Sequence, residues 1–347
     1  MTKRPSFEIA GQSIAPGTRK TVHLPVSTLY DHTPVTLSAH VIHGRKDGPT
    51  VFVSAGIHGD EVIGVEIVRR AMRLKKLKSL SGTLILVPIV NTFGFLNHSR
   101  YLPDRRDLNR CFPGSPNGSL ASRLAHIFMT EIVARCSLGI DLHSAAIHRT
   151  NLPQVRVSAN DAQTLQLAHV FGAPVILTSA LRDGSLRAES KKNGVSVLLF
   201  EAGEAMRYDE MSVRSGVAGI LRVLKEVGML SGSGIAKPKA TSIICSKSNW
   251  LRAPVGGLLR NFKAEGDVVE VGDIVAAISD PFGDGEVEVE ARYSGIIVGR
   301  AVMPVVHEGD ALFHIAAVKS ANAAEAAVDD LASQLEEDPL FDEDEII

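Results

Sequence analysis

Two side chains that can bind a metal ion stand three positions apart in the segment VSAGIHGDEVIG, which runs from Val53 to Gly64. His58 and Glu61 follow apolar and small residues, where a strand pattern gives way to a helical one. Residues three apart at a helix start can direct their side chains to one point. Imidazole nitrogen and carboxylate oxygen suit zinc, which in a catalytic site takes three protein ligands. Alone the pair is weak support, because most isolated matches are a capping histidine beside a surface glutamate.

A third ligand is expected from the end of another strand. The segment SLGIDLHS contains an apolar strand that ends with Asp141, Leu142 and His143. Strand alternation places Asp141 and His143 on the same side, so Asp141 is a candidate to orient His143 by a hydrogen bond. Taken singly, His143 would be an ordinary buried histidine. Together with His58 and Glu61, it completes a predicted three-ligand metal site.

A hydrolytic metal site also needs a group that accepts a proton from water. Glu201, in the segment LLFEAGE, directly follows four apolar residues at a predicted strand end. A carboxylate in that position is costly unless it has a partner or a task. The alternative is an exposed carboxylate at a turn, which is how we interpret Glu204.

Strand and helix patterns alternate along the residues that carry these side chains. Strand patterns run from about residue 20 to 55, and an amphipathic helix pattern follows in VIGVEIVRRAMRLKKL. Further alternation up to Leu230 predicts an α/β fold, with a mostly parallel mixed sheet covered by helices on both faces. We expect a catalytic domain over residues 1–235, with N-terminal strands at 1–49 and a motif-bearing core at 50–230. The candidate ligands then lie at the carboxyl ends of strands, where open α/β sheets bind ligands.

A second, all-β region is predicted at residues 241–318, after the small and polar linker SGSGIAKPKAT. Short β runs with Gly-Asp turns recur there at a spacing of 37 or 38 residues. Two such halves predict a small barrel or sandwich and resemble biotinyl/lipoyl-like barrel-sandwich domains. Those domains carry a cofactor on a hairpin lysine, and no lysine lies between Ala264 and Val318. We therefore interpret the region as structural or as a wall over the site.

The last segment, residues 319–347, is predicted to be an acidic and flexible tail. From Ala321 onward it has ten acidic residues and no lysine or arginine, so self-repulsion opposes compaction. A short helix is expected around AAEAAVDDLASQL. A solubilising tail is the plainer interpretation, and docking of a basic partner is the alternative.

Composition narrows the classes of function. A net charge of −2 gives no basic field for nucleic acid. The longest apolar runs are too short to span a bilayer, and the N-terminus shows no secretory signal pattern. Three widely spaced cysteines do not indicate a disulfide framework or a thiolate zinc site. A cytoplasmic protein without a membrane or nucleic-acid partner is expected.

Four motifs in order resemble those of the succinylglutamate desuccinylase/aspartoacylase family, which is related to zinc carboxypeptidases. They are GIHGDE, DLNR at Asp107–Arg110, DLHS at Asp141–Ser144 and FEAGE at Phe200–Glu204. Each stands at a predicted strand end or adjoining loop, and the match covers roughly Thr50 to Leu230. The resemblance implies a zinc-carboxypeptidase-like fold, and the later β region resembles that of longer bacterial members.

The resemblance also implies a reaction, the hydrolysis of an N-acyl amide. It places one Zn²⁺ per chain on His58, Glu61 and His143, and the general base on Glu201. A substrate carboxylate would bind Asn109 and Arg110, with Arg187 as a weaker candidate for a second contact. The arginine that stabilises the oxyanion is expected in SRYLPDRRDLNR. Arg100 is the first choice for that role, and two later positions are the alternatives, Arg105 and Arg106.

Three functions follow from these observations. The leading one is a zinc amidohydrolase that acts on a small N-acyl amino acid. A carboxypeptidase-like enzyme that trims peptides or isopeptides is the nearer alternative, and it would need an open groove instead of a closed pocket. A metal-binding scaffold without catalysis is the third, and Glu201 argues against it. The sequence leaves open whether the chain forms a homo-oligomer.

Overall fold

Strands and helices alternate over most of the chain in a computed structural model, which describes residues 4–239 and 241–337. The strands in this part are β1 (Phe7–Ile9), β2 (Gln12–Ile14), β3 (Thr18–Thr28), β4 (Pro34–His43), β5 (Lys46–Ala55), β6 (Ser81–Val87), β7 (Leu138–Ala145), β8 (Arg149–Val157), β9 (Val175–Thr178), β10 (Ser196–Glu204), β11 (Ile243–Cys245), β12 (Ser248–Arg252), β13 (Gly257–Asn261), β14 (Val268–Val269), β15 (Ile274–Ser279), β16 (Glu286–Glu290), β17 (Gly295–Ala301), β18 (Val305–Val306) and β19 (Ala311–Ala316). The α-helices are α1 (Ile63–Arg73), α2 (Thr92–Leu96), α3 (Leu120–Glu131), α4 (Ala162–Phe171), α5 (Leu186–Lys192), α6 (Glu210–Glu226) and α7 (Ala321–Glu337). Short 3-10 helices span Lys75–Ser79, Leu108–Arg110 and Val133–Arg135.

One mixed sheet organises the molecule. Its main path runs β12-β19-β17-β8-β10-β7-β5-β6-β4-β3, and β9, β11 and β14 branch from it. The centre, β10-β7-β5-β6, is parallel, and antiparallel strands flank it on both sides. The predicted parallel sheet is therefore found at the centre, where the site residues are carried.

Both faces of the sheet centre are buried. In β5, Val51, Val53 and Ala55 belong to one hydrophobic core, whereas Phe52 belongs to the core on the opposite face. Helices α1, α4 and α6 supply the first core, and α3 packs over the second. This arrangement explains why the second half of β5, Val51–Ala55, is a largely apolar run in the sequence, since both of its faces are covered there.

Helix α1 begins directly above the ends of two central strands. A Cβ atom added at Gly64 would lie 2.8 Å from Cβ of Ala55 and 2.9 Å from Cβ of Leu142. Contacts that short would force a shift, so a glycine allows the first turn of α1 to approach β5 and β7. The loop between β5 and α1 is thereby held against the end of β7, which carries His143.

The later β region is joined to the main sheet. We refer to residues 241–318 as the β module. Within it, β13, β15, β16 and β18 form a separate four-stranded sheet, while β17 pairs with β8 and β11 pairs with β9. The additional β region is present as expected. The domain boundary between residues 235 and 241 remains a prediction.

Residues 321–337 form a packed helix, α7. The acidic composition instead predicts a flexible tail with a shorter helix. Ala324, Ala327, Leu331 and Leu335 are buried, and Gln334 accepts a hydrogen bond from the N–H of Lys239 at 3.0 Å. The expectation underweighted the apolar positions, which recur at helical spacing among the acidic residues. The rest of the acidic segment, residues 338–347, lies outside the described residues.

The α-helices of residues 4–239 and 241–337 are short. The longest among the described residues, α6 and α7, have 17 residues each. No helix in that part of the chain combines the length and the apolar character needed to cross a bilayer.

Candidate metal centre and active-site pocket

His58 and Glu61 lie in the loop that joins β5 to α1. The helix begins at Ile63, so both residues precede it, close to the predicted helix start. The N–H of Glu61 donates to the carbonyl of His58 at 3.2 Å, which closes a tight turn. A Cβ added at Gly59 would lie 1.9 Å from the carbonyl carbon of Gly94, so this turn lies directly against the backbone of α2. A larger residue at Gly59 would displace the loop that carries both side chains.

The carboxylate of Glu61 lies between two imidazole rings. Its Oε1 is 2.6 Å from Nδ1 of His58, and its Oε2 is 2.7 Å from Nδ1 of His143. All three residues are buried. One potential ligand atom from each lies within 4.8 Å of the other two. The loop before α1 and the end of β7 therefore bring together the three predicted ligands.

A second carboxylate contacts the far nitrogen of each ring. Nε2 of His58 is 3.1 Å from Oδ1 of Asp107, and Nε2 of His143 is 2.8 Å from Oδ2 of Asp141. Asp141 is fixed in turn by the hydroxyl of Ser54, which donates to Oδ1 at 2.7 Å. A carboxylate at the outer nitrogen is the usual environment of a histidine that binds metal, because it sets the tautomer and the ring orientation.

The charges of neighbouring side chains shift the pKa values of His58, Glu61 and His143. Burial alone would lower the pKa of His143, but the negative charges of Asp141 and Glu61 raise that pKa well above its usual value. Burial alone would also lower the pKa of His58, but the charge of Glu61 and the hydrogen bond to Asp107 outweigh burial and raise that pKa. For Glu61, burial would raise the pKa, and the two histidines outweigh it and lower the pKa. Without a cation, the carboxylate and the two rings therefore stabilise one another's charged forms.

The donor set fits a zinc ion. Two imidazole nitrogens and one carboxylate are a known ligand combination for catalytic zinc. The same Nδ1 atoms that face Glu61 would become ligands once their protons leave, since metal binding releases protons from its ligands. Both outer nitrogens keep carboxylate partners, so the rings would stay oriented.

Among the three candidate oxyanion arginines, Arg100 is the one that lines the pocket beside the cluster. Its Nη2 lies 3.1 Å from Oδ2 of Asp107, and its Nη1 lies 3.4 Å from Oε1 of Glu61. Arg105 and Arg106 are exposed, and Arg106 faces Asp104 at 3.8 Å. The structure thus places only the first of the three among the residues that surround the candidate ligands.

Asn109 and Arg110 lie on the short 3-10 helix at the pocket wall. Asn109 is buried, and its Oδ1 accepts a hydrogen bond from the N–H of Leu186 at 2.9 Å. Its side chain therefore holds the start of α5, the helix that carries Arg187. Arg110 is exposed and lines the pocket, where its guanidinium is accessible to an anion.

Glu201 lies in β10, next to β7, and lines the same pocket. Its backbone pairs with that of His143 in parallel register. Its Oε2 accepts a hydrogen bond from Nδ2 of Asn151 at 2.8 Å and lies 3.5 Å from Nη2 of Arg156. The proposed proton acceptor and the candidate ligands therefore share one cavity.

The pocket has a cavity volume of about 270 Å³ and a cationic wall. Six arginines line it, namely Arg100, Arg110, Arg149, Arg156, Arg182 and Arg187. Nη2 of Arg187 donates to the hydroxyl of Ser179 at 2.9 Å, while its buried Nη1 has no hydrogen-bond partner. Burial, followed by the positive charge of Arg156, lowers the pKa of Arg187 to about 10, so the side chain stays charged at neutral pH. A wall of this kind suits a ligand with negative charge.

Sequence reasoning missed three features of the site. Asp107 was noted only as part of the DLNR motif, although its position in that motif could have indicated a partner for a ligand. Asn151 and Arg156 lie on β8, in a stretch without a motif. Trp250 belongs to the β module and lines the pocket, where its ring stacks on His314 with centroids 4.7 Å apart. No local signal in the sequence places it there.

The region of the chain that carries this site matches the model of a known family. The model of the succinylglutamate desuccinylase/aspartoacylase catalytic domain matches residues 47–227, which is more than half of the 347-residue chain. The chain belongs to this family. The predicted family is thereby confirmed, and the observed architecture confirms the predicted α/β class with an additional β region.

Individual relatives extend the likeness beyond the catalytic region. The N-alpha-acetyl-L-2,4-diaminobutyric acid deacetylase of Halomonas elongata is 27% identical over 287 residues, which cover 79% of this chain and 84% of the relative. A crystal structure of a succinylglutamate desuccinylase/aspartoacylase from Rhodobacter sphaeroides superposes with a TM-score of 0.77 at 27% identity, covering 86% and 96% of the two chains. A succinylglutamate desuccinylase from Silicibacter sp. TM1040 gives a TM-score of 0.77 at 25% identity, covering 87% and 95%.

Proposed function

We propose that the chain is a zinc-dependent amidohydrolase that removes the acyl group from a small N-acyl amino acid. The observation that carries the proposal is the presence of a three-ligand cluster and a separate carboxylate, Glu201, in one cationic pocket. Membership of a family that includes a deacetylase and desuccinylases supports cleavage of an amide bond. A cytoplasmic location stays a prediction.

His58, Glu61 and His143 would hold one zinc ion, which when bound supplies the Lewis acidity that lowers the pKa of water towards ~7. Glu201 accepts the proton of the attacking water and returns it to the leaving amine. Arg100 provides positive charge beside the oxyanion that develops on the acyl carbonyl.

Binding of the substrate is assigned to the remaining pocket groups. Arg110, an accessible guanidinium, binds a carboxylate of the amino acid, and Asn109 holds the wall beside it. Arg187 is placed to bind a second anionic group, because its buried Nη1 has a hydrogen to donate and no partner.

The size of the pocket favours a small-molecule substrate over a peptide substrate. Its volume of about 270 Å³ is close to the lower end of typical small-ligand pockets. Trp250 of the β module forms part of its wall, which supports a role of this module in limiting access. A peptidase would need a groove that continues past this wall. Glu201 weighs against a scaffold without catalysis, since a scaffold has no use for a proton acceptor beside the ligands.

The test uses purified protein loaded with zinc and a panel of N-acetyl and N-succinyl amino acids with acidic, neutral and basic side chains, together with blocked dipeptides. We expect amine release from one or more N-acyl amino acids and none from the dipeptides. Glu201→Gln should keep zinc and lower kcat by about 10²–10⁴-fold, the usual contribution of a general base. Glu204→Gln is the matched control, because Glu204 lies on the same strand outside the pocket lining. Undiminished turnover by Glu201→Gln would exclude the base role.

A further inference from the structure

Asn151 connects the proposed general base to the β module. It lies on β8 with 8% of its surface exposed, and its Nδ2 donates to Oε2 of Glu201 at 2.8 Å. In the antiparallel pairing of β8 with β10, Asn151 lies opposite Gly203, and the register shifts between Glu201 and Gly203. This irregularity brings the Asn151 side chain to the carboxylate two positions earlier in β10.

The other groups around Glu201 hold it less closely. Nη2 of Arg156, also on β8, lies 3.5 Å from Oε2, which is longer than the ~2.7–2.9 Å of a charge-assisted hydrogen bond. Arg187, on α5, acts on Glu201 through its charge. Among the described residues, the neutral amide of Asn151 is therefore the close, directional contact to this carboxylate.

The far side of the Asn151 carboxamide lies against the β module. Gly299 of β17 pairs with Asn151, and a Cβ added there would lie 2.5 Å from Oδ1 of Asn151 and 3.1 Å from the carbonyl oxygen of Thr150. Glycine inside a strand often marks such a close approach. The space left by the missing side chain is the space that the carboxamide occupies.

We propose that Asn151 is a positioning residue for Glu201 and that Gly299 fixes its carboxamide, so that the β module helps to orient the general base. This inference rests on the proposed role of Glu201. A small displacement of a reacting group lowers the rate strongly. Contacts that fix the orientation of the Glu201 carboxylate are therefore expected to raise kcat. The β module then has a part in catalysis although it supplies no reacting group.

The test measures kcat, KM and zinc content for Asn151→Leu, Asn151→Asp and Gly299→Ala in the full chain. Asn151→Leu should lower kcat by about 10–100-fold, as is usual for groups that orient reactive side chains, with KM and zinc unchanged. Asn151→Asp keeps the shape beside Gly299 and replaces the donor with an oxygen that repels the carboxylate of Glu201, so it should also lower kcat. This variant keeps the inference testable if the leucine variant fails to fold. Gly299→Ala should lower kcat as well. Gly256→Ala is the control, since its added Cβ would meet only ordinary contacts, the nearest at 3.4 Å.

A double variant separates a positioning role from general loss of structure. If Gly299 acts through Asn151, Gly299→Ala should cause no further loss of kcat in the Asn151→Leu background. Unchanged kcat in the Asn151 variants, a rise of KM alone, or fully additive losses would each overturn the inference. Retained turnover by Glu201→Gln would instead overturn the proposed function, so the two failures are distinguishable.

Discussion

At the scale of single residues, the central feature is one carboxylate shared by two histidines. Each oxygen of Glu61 contacts a different ring, and each ring has a second carboxylate behind it. Glu61 and Asp141 are buried and Asp107 is partly buried. One potential ligand atom from each of His58, Glu61 and His143 lies close enough to the other two to hold a metal ion.

Removal of one of the two imidazole rings should reduce the zinc content of the purified protein. His58→Ala is expected to lower bound zinc from about one per chain to a small fraction, because two ligands do not hold a catalytic zinc. His169→Ala is the matched control, since His169 is exposed on α4. Metal analysis after gel filtration gives the result. Full loading of His58→Ala would contradict ligation by that residue.

The sequence predicted the residues that occupy motifs and missed those that reach the site from elsewhere. His58, Glu61, His143 and Glu201 each stand where a strand pattern ends, and that local signal is sufficient to nominate them. The contact of Asp107 with His58 spans 49 residues. It depends on how a loop folds back over the sheet, and one sequence carries no direct record of such a contact.

At the scale of elements, the pocket is formed by parts of two regions. Strand β8 contributes Arg149, Asn151 and Arg156, and its pairing with β17 brings the β module alongside. The guanidinium carbon of Arg149 lies 5.3 Å from the ring centroid of Trp250, a cation–π contact across the junction. The alternation of strands and helices was predictable from hydrophobic periodicity. The pairing of β8 with β17 was not, because the two strands are distant in the chain.

Shortening the wall should widen the range of substrates. Trp250→Ala removes the aromatic face beside Arg149, so we expect kcat/KM to fall for the preferred N-acyl amino acid. The ratio of kcat/KM for substrates with longer acyl groups to kcat/KM for the preferred substrate should rise. The ratio of the two kcat/KM values is the measurement. Phe282→Ala is the control, since Phe282 is an exposed aromatic residue of the same module outside the pocket lining. An unchanged ratio would remove Trp250 from the determinants of size.

At the scale of the whole molecule, a histidine in the β module links stability to pH. Burial, followed by the positive charge of Arg156, lowers the pKa of His314 to about 4. The unfolded chain takes up this proton below about pH 6.5, whereas the folded chain does not until about pH 4. The folded state therefore loses stability as the pH falls through that interval, and above it the contribution is constant.

The part of the pH dependence of unfolding free energy that comes from His314 should disappear when His314 is replaced. Between pH 7 and pH 5, His314 should cost the folded state about 2 kcal/mol, and His314→Gln should not show this part of the loss. Glutamine keeps a polar group near the hydroxyl of Ser248, which lies 2.8 Å from Nε2 of His314. Urea unfolding at the two pH values gives the comparison, with His169→Gln as the exposed control. Equal slopes for the native chain and His314→Gln would refute the assignment.

The wall residue of the pocket has one more consequence, for spectroscopy. Trp250 is the single tryptophan of the chain, so all of its indole emission originates beside the ring of His314 and the guanidinium of Arg149. A molecule that binds in the cavity beside Trp250 is expected to change the surroundings of that one fluorophore. Binding can then be followed by quenching or a wavelength shift in the unmodified protein, with no attached dye and no turnover.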